Sequence, residues 1–407
     1  MQLVRRITAI LPAIYAEIVL AYAVNTRHNT PKEYQGIMNY IHNRKDWPKM
    51  TWGQERLAGK LAGVRHRQGR LIGRMEGLGF SLRNEAVLQT LTEDVLKSNE
   101  IEGEKLDKDL VRSSIARRLG LDMGGLIPLD RHVEGVVEMM LDATGHYADP
   151  LTEERLFAWH AALFPTGRSG MTKIGIGRWR DDKSDPMQVV SGPIGRGKLH
   201  YQAPEAKRVP EEMRAFLKWF NGSQSIDPVM AAGLAHLWFV TIHPFKDGNG
   251  RIARAVADMA LARSENSSQR FYSMSAQIRL ERNAYYDMLE RTQKGGLDIT
   301  PWLEWFLGCL DRAIEGAEHI LAGIFHKAHF WEAHTHKPFN ERQRAIINRL
   351  FDDFEGKLTS SKWAKLAKCS QDTALRDIDD LVKHGVLVKE PGGGRSTCYA
   401  LADRWIR

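Results

Sequence analysis

Apolar residues return every third or fourth position along most of this chain, the spacing of a helix with one buried face. WGQERLAGKLAGVRHRQGRLIGRMEGL puts Leu57, Leu61, Val64, Leu71, Met75 and Leu78 on one side and crowds arginine onto the other. That arginine face reads as solvated, with nucleic-acid binding as the alternative. NEAVLQTLTEDVLKSNEIEGEKLD carries the pattern on to Gly103. RHVEGVVEMMLDAT and TEERLFAWHAALF predict two more amphipathic helices, with Thr152 placed to cap the second. VPEEMRAFLKWFN, PVMAAGLAHLWFVTI, RIARAVADMALAR, ERNAYYDMLERTQ and TPWLEWFLGCLDRAIEGAEHILAGIF continue the helical series.

Two stretches break it. Residues 167–204 are rich in glycine, and the short β-like runs MQVVS and KLHY flank GPIGRG. This predicts a β-hairpin inside a long loop, and long loops in compact domains are often functional. Near the end, ERQRAIINRLFDD, TSSKWAKLAK and SQDTALRDIDDLVKHG predict three short helices. VLVKEPGGGRSTCYAL then predicts strand, glycine turn, strand. Three helices and a hairpin make a winged helix-turn-helix over residues 335–407. Its recognition helix would offer Gln371, Thr373 and Arg376, and its wing Arg395. Asp372, Asp377, Asp379 and Asp380 crowd the same helix and oppose phosphate. A protein partner therefore suits this domain at least as well as DNA.

Composition adds limits. The chain has 407 residues and a net charge of +8, enough for two or three domains. Residues 1–75 hold 13 Lys/Arg against 4 Asp/Glu, and residues 332–407 hold 14 against 11, so the basicity belongs to the ends. Three scattered cysteines, Cys309, Cys369 and Cys398, support neither a disulfide framework nor a thiolate zinc site. A cytoplasmic protein with no membrane contact is expected. The start, MQLVRR followed by an apolar run, imitates a secretory signal, but Glu17 and Pro12 interrupt it. Residues 1–37 read as a poorly structured extension or an over-long translation start.

The chemistry concentrates in HPFKDGNGRIAR, residues 243–254. A helix starting near Asn249 presents unpaired N–H groups and a partial positive charge, which bind anions. Gly248 and Gly250 remove side chains where a phosphate would approach the backbone. Arg251 and Arg254 share one helical face and suit a di- or triphosphate. Asp247 can hold the Mg²⁺ that such a ligand brings. His243 precedes the anion hole and can take a proton from a hydroxyl nucleophile. Nucleotidyl or phosphoryl transfer is the reading.

The stretch resembles, residue for residue, the Fic family signature HxFx[D/E]GNGRxxR. The resemblance implies a mainly α fold: a Fic helical core with a β-hairpin flap, an N-terminal helical region and the C-terminal winged helix-turn-helix. The implied boundaries are 38–112 for the N-terminal region, 113–325 for the core and 335–407 for the winged helix. Fic enzymes move AMP from Mg-ATP to a Ser, Thr or Tyr hydroxyl of a target protein, releasing pyrophosphate. His243 would be the base, Asp247 the metal ligand, and Gly248, Asn249 and Gly250 the α-phosphate loop. Arg251 and Arg254 would bind the outer phosphates. Relatives that phosphorylate carry lysine where Gly250 stands, so AMP transfer is favoured.

The resemblance also implies a flap in which Val189, Val190, Ser191 and Gly192 line the nucleotide and target groove. Tyr285 or Tyr286 would lie against the adenosine. SNEIEG, Ser98 to Gly103, resembles the family's inhibitory motif [S/T]xxxE[G/N]. Glu102 would then pair with Arg254 and block productive ATP binding. Self-modification and a homodimer are consistent with this picture. Two rival readings stay open. The same site could remove AMP, with Glu102 activating water, or the winged helix could make the chain a DNA-binding regulator.

Overall fold

The computed structural model describes residues 40–121, 129–181, 186–192, 197–222, 225–351, 354, 356–390 and 397–402. The expected extension over 1–37 and the wing residue Arg395 lie outside the described residues. Two compact units are present. One holds residues up to Gly73 together with Val87–Gly316, the other Arg74–Ala86 together with Ala317–Arg407.

The first unit is helical, as the spacing predicts. Its elements begin with α1 (Gln54–Glu76), α2 (Phe80–Ile101), α3 (Lys108–Arg118), α4 (Arg131–Gly145) and α5 (Glu153–Leu163). Then come α6 (Val209–Asn221), α7 (Pro228–Ile242), α8 (Asn249–Glu265), α9 (Met274–Leu280), α10 (Arg282–Gln293) and the first half of α11 (Thr300–Ala333), whose residues from Ala317 on belong to the second unit. Thr152 caps α5, its side chain accepting from the N–H of Arg155. α7 is apolar all round and buried along nearly its whole length, so it forms the centre of the core. It packs chiefly on α8, and the Trp302 indole donates to the Gly233 carbonyl at 2.8 Å behind it. No helix among the described residues is long and apolar enough to cross a membrane.

The arginine face of α1 is not simply solvated. Arg56 and Lys60 both reach Glu304, Arg67 reaches Asp311, and Arg65 pairs with Asp227. Acids brought from distant sequence neutralise it, which local periodicity cannot reveal. Two small antiparallel pairs interrupt the helices. β1 (Arg168–Ser169) pairs with β2 (Thr172–Lys173), a turn the spacing does not predict. β3 (Gln188–Ser191) pairs with β4 (Lys198–Gln202), the expected hairpin, with an irregularity between Val189 and Val190.

The second unit contains α12 (Glu341–Phe351), α13 (Ser360–Leu366), α14 (Gln371–Lys383), β5 (Leu387–Lys389) and β6 (Tyr399–Leu401). Leu387 faces Leu401 across the antiparallel pair. Trp363, Ile378, Leu381 and Val386 are wholly buried in its own core. One expectation is corrected here. Asp377 does not stand on the exposed face of α14: it is 5% exposed. Arg342 grips it with two bonds, at 2.8 and 3.1 Å, and Asn340 adds a third at 2.8 Å. A buried carboxylate needs such partners, so this acid builds the domain rather than repelling a ligand.

Candidate active site

The site grows from the junction of α7 and α8. Two left-handed residues bracket the connecting loop: His243, at φ 52° and ψ 59°, ends α7, and Gly248, at φ 80°, precedes α8. A histidine in that region is uncommon and carries local strain. The surroundings fix it. Arg180 donates from Nε to the His243 carbonyl at 2.8 Å and from its backbone N–H to the Pro244 carbonyl at 2.9 Å. The Asn249 amide clamps the backbone of Phe245 in both directions, at 2.9 and 2.8 Å. Phe245 itself is buried and stacks on His160 at 4.2 Å.

His243 is half-buried and faces a cavity. Its Nδ1 lies 3.2 Å from the Val240 carbonyl. A carbonyl only accepts, so Nδ1 carries the proton and Nε2 keeps its lone pair. Burial, and then the charge of Arg180, hold its pKa down at about 4. The ring is therefore neutral near pH 7, with Nε2 free to accept a proton.

Beside it, the first turn of α8 offers the N–H groups of Asn249, Gly250 and Arg251, which have no acceptor within the helix. A Cβ on Gly248 would crowd the Phe164 ring at 2.9 Å, and one on Gly250 would overlap the Glu102 carboxylate. Gly248 needs glycine, being left-handed and against an aromatic ring, whereas at Gly250 a side chain is excluded only while Glu102 stays in place. Asp247 stands at the mouth, accepting from the N–H of Gly248 at 2.6 Å and from the Ser169 hydroxyl. No cluster of three metal-binding side chains occurs among the described residues. Mg²⁺ asks for only one or two carboxylates when phosphates supply the rest, so Asp247 fits that role.

Both arginines of the motif are buried and occupied. Arg254 donates to the Ser98 hydroxyl at 2.9 Å, to the Ser98 carbonyl at 2.8 Å and to Glu102 at 2.8 Å. Arg251 donates to Glu104 at 2.6 Å and to the Asn99 side chain at 3.3 Å. Glu104 in turn meets His132 at 3.4 Å. The end of α2 explains this convergence. Gly103, at φ 88°, turns the chain left-handed, and the N–H of Glu104 returns to the Asn99 carbonyl. This Schellman-type stop aims Glu102 and Glu104 at successive arginines of α8.

The cavity is lined by His243, Asp247, Gly248, Asn249, Gly250 and Glu102, and across from them by Val189, Val190, Tyr285 and Tyr286. The structure thus brings most of the expected site residues around one space. Ser191, Gly192, Ser98, Gly103, Arg251 and Arg254 are not part of that lining. Tyr285 is wholly buried and its hydroxyl meets His236 Nε2 at 2.8 Å, so it presents its ring rather than its hydroxyl. Tyr286 and Arg282 reach the Ile101 carbonyl at the end of α2. Sequence reasoning missed Arg180, Glu104, Tyr201, Glu290 and Gln293. Glu104 had a signal, being the acid two residues after Glu102; the others come from elements far apart in sequence.

Comparison with known proteins finds a family match that spans the junction of α7 and α8. Residues 150–261 match the Fic/DOC family model, and residues 40–121 match a domain of unknown function, DUF4172. The protein adenylyltransferase Fic of Culex quinquefasciatus is 34% identical over 105 residues, 25% of this chain and 19% of that protein. The protein of the same name from Drosophila yakuba is 33% identical over 105 residues, 25% of this chain and 20% of its own length. The matched stretch thus spans about a fifth of these curated relatives. The crystal structure of a Fic family protein from Desulfovibrio desulfuricans G20 aligns with a TM-score of 0.51 and 21% identity. That alignment covers 86% of this chain and 96% of the other, and it establishes the fold.

Proposed function

We propose that this chain, a Fic-domain protein by its match over residues 150–261, is a protein adenylyltransferase. It moves AMP from Mg-ATP to a hydroxyl of a target protein. The observation that carries the reading is the neutral His243, with Nε2 as acceptor, beside an anion-binding helix start that the left-handed Gly248 opens. His243 takes the proton of the target hydroxyl. The first turn of α8 offsets charge on the α-phosphate, and Arg251 and Arg254 hold the outer phosphates. Mg²⁺, when bound at Asp247, would neutralise phosphate charge. Val189 and Val190 on the flap present the target segment, strand to strand. Tyr285 and Tyr286 pack on the adenosine.

In this reading the form described here is the restrained one, because Glu102 occupies Arg254. The test uses α- and γ-labelled ATP with a lysate, comparing wild type with Glu102→Gly. Label from the α position, stronger in the variant, supports the proposal. Label from the γ position would make the chain a kinase instead. One observation favours a second activity at the same site: the Glu102 carboxylate is about a quarter exposed and lines the cavity beside Gly250. There it could activate water and remove AMP. Incubating an AMP-modified target with wild type and Glu102→Gly separates the two activities. For residues 335–407 we propose a winged helix that docks protein. The exposed residues of α14 include Asp372 and Asp379 against Arg376, a poor surface for phosphate.

A further inference from the structure

Three side chains outside the motif form a directed chain. The Ser191 hydroxyl lies 2.5 Å from Nε2 of His200, and Nδ1 of the same ring lies 2.5 Å from Oε2 of Glu290. Ser191 ends β3, His200 sits within β4, and Glu290 belongs to α10. Strand pairing and helix packing thus hold the three groups from separate elements. His200 and Glu290 are both mostly buried, at 14% and 17% side-chain exposure.

The carboxylate decides the direction of the chain. Burial alone would raise the pKa of Glu290, but hydrogen bonds from His200 and Lys294 outweigh it and hold the group at about 2. An ionised carboxylate only accepts. In the neutral ring Nδ1 therefore donates to Glu290, and Nε2 is left to accept from Ser191. The hydroxyl gives its proton toward a base whose far side is oriented by an acid. This is the polarity that activates a serine nucleophile. Glu290, Val189 and Val190 line the same cavity as His243 and Gly248–Gly250. Ser191 is itself outside that lining but follows Val190 directly, and the Glu290 that orients its base is in it, so the hydroxyl borders the space read above as the nucleotide site.

We infer that Ser191 is itself an acceptor of AMP, a self-modification site served by its own base, His200. The inference rests on the reading that the cavity takes Mg-ATP. In the step, Ser191 Oγ attacks the α-phosphorus and an Oγ–P bond forms. The bond from that phosphorus to the bridging oxygen breaks, and pyrophosphate leaves with its electron pair. The serine proton passes to Nε2 of His200, and Glu290 offsets the charge that the ring gains. The product is a phosphodiester that holds AMP on the flap.

The test is peptide mapping of the full-length Glu102→Gly protein after incubation with α-labelled ATP and Mg²⁺ in the presence of a lysate. Trypsin releases residues 184–196 as one peptide, and fragmentation separates Ser191 from Ser184. Label is expected on Ser191. Adding Ser191→Ala should remove it, and Ser191→Thr should retain it. Adding His200→Gln should slow labelling of this peptide about 10²-fold, far more than it slows labelling of lysate proteins. Label on lysate proteins with none on Ser191 would overturn the inference and leave the transferase reading standing. Equal labelling of Ser191 with and without His200 would overturn the role of the base. No label on any protein would sink both.

Discussion

Glu102 and Arg254 are joined at 2.8 Å although the arginine is 2% exposed and the carboxylate 26%. The guanidinium sits within the helical core while its partner reaches in from the cavity. Glu102 is thus the partner that can leave without unfolding the site.

The first prediction follows from that asymmetry. Glu102→Gly should raise labelling from α-labelled ATP at least tenfold, since a bias of a few kcal/mol makes the free state rare. Arg254→Ala should not mimic it, because that change removes the phosphate ligand together with the latch. The double variant should resemble Arg254→Ala. Equal labelling by wild type and Glu102→Gly would leave SNEIEG as just a helix end.

Glu104 should act as a second, weaker latch. It neutralises Arg251 as Glu102 neutralises Arg254; the hydrogen bond with His132, and then the charge of Arg251, hold the Glu104 carboxyl below its ordinary pKa against burial. Its side chain is 42% exposed, so solvent screens the pair. In a Glu102→Gly background, Glu104→Gln should tighten ATP binding several-fold by calorimetry. Unchanged or weaker binding would assign Glu104 a purely structural part.

His243→Ala should lower AMP transfer by about 10²–10⁴-fold. The pH profile gives a separate check. With a pKa of about 4 the base is already free at neutrality, so the rate should stay flat from pH 8 to pH 6. A midpoint near 6.5 would mean that the buried environment does not act as argued.

Acid should weaken the fold over a definite window. Burial holds His42, His160 and His243 at about 4 and His236 at about 3, all below the ordinary 6.5. As pH falls, the unfolded chain takes up these protons first. Stability is therefore full above about pH 6.5 and declines down to about pH 3 as His236 is the last to charge. Melting temperature measured from pH 7.5 to 5 should fall steadily; a constant value would contradict these buried neutral rings.

Deleting residues 335–407 should leave self-modification intact and alter the choice of target, because every residue of the proposed site lies before that segment. Within it, Asp377→Ala should lower the melting temperature of the second unit by about 5 °C or more, since three hydrogen bonds to a buried carboxylate are lost. A change under one degree would mean that Arg342 and Asn340 are satisfied without it.

Some of this was legible because the physics is local. The 3.6-residue period marks a helix whatever surrounds it, so α1, α4, α5 and α8 could be read directly. HPFKDGNGRIAR is local as well: base, acid, glycines and arginines lie within one loop and one helical turn. Serine and glutamate four apart in SNEIEG share a face for the same reason.

What needs distant partners was not legible. The arginines of α1 look solvated until Glu304 and Asp311 arrive from α11. Asp377 looks like part of an acidic surface until Arg342 closes on it. Ser191, His200 and Glu290 are separated by 9 and 90 positions, and only strand pairing and helix packing bring them into line. The sequence by itself determined which candidate groups lie together in one loop and helical turn and where the helices run, because those depend on neighbours a few residues away. The tertiary structure decided protonation, occupancy and direction. Each of those depends on burial and on charges supplied from elsewhere in the chain.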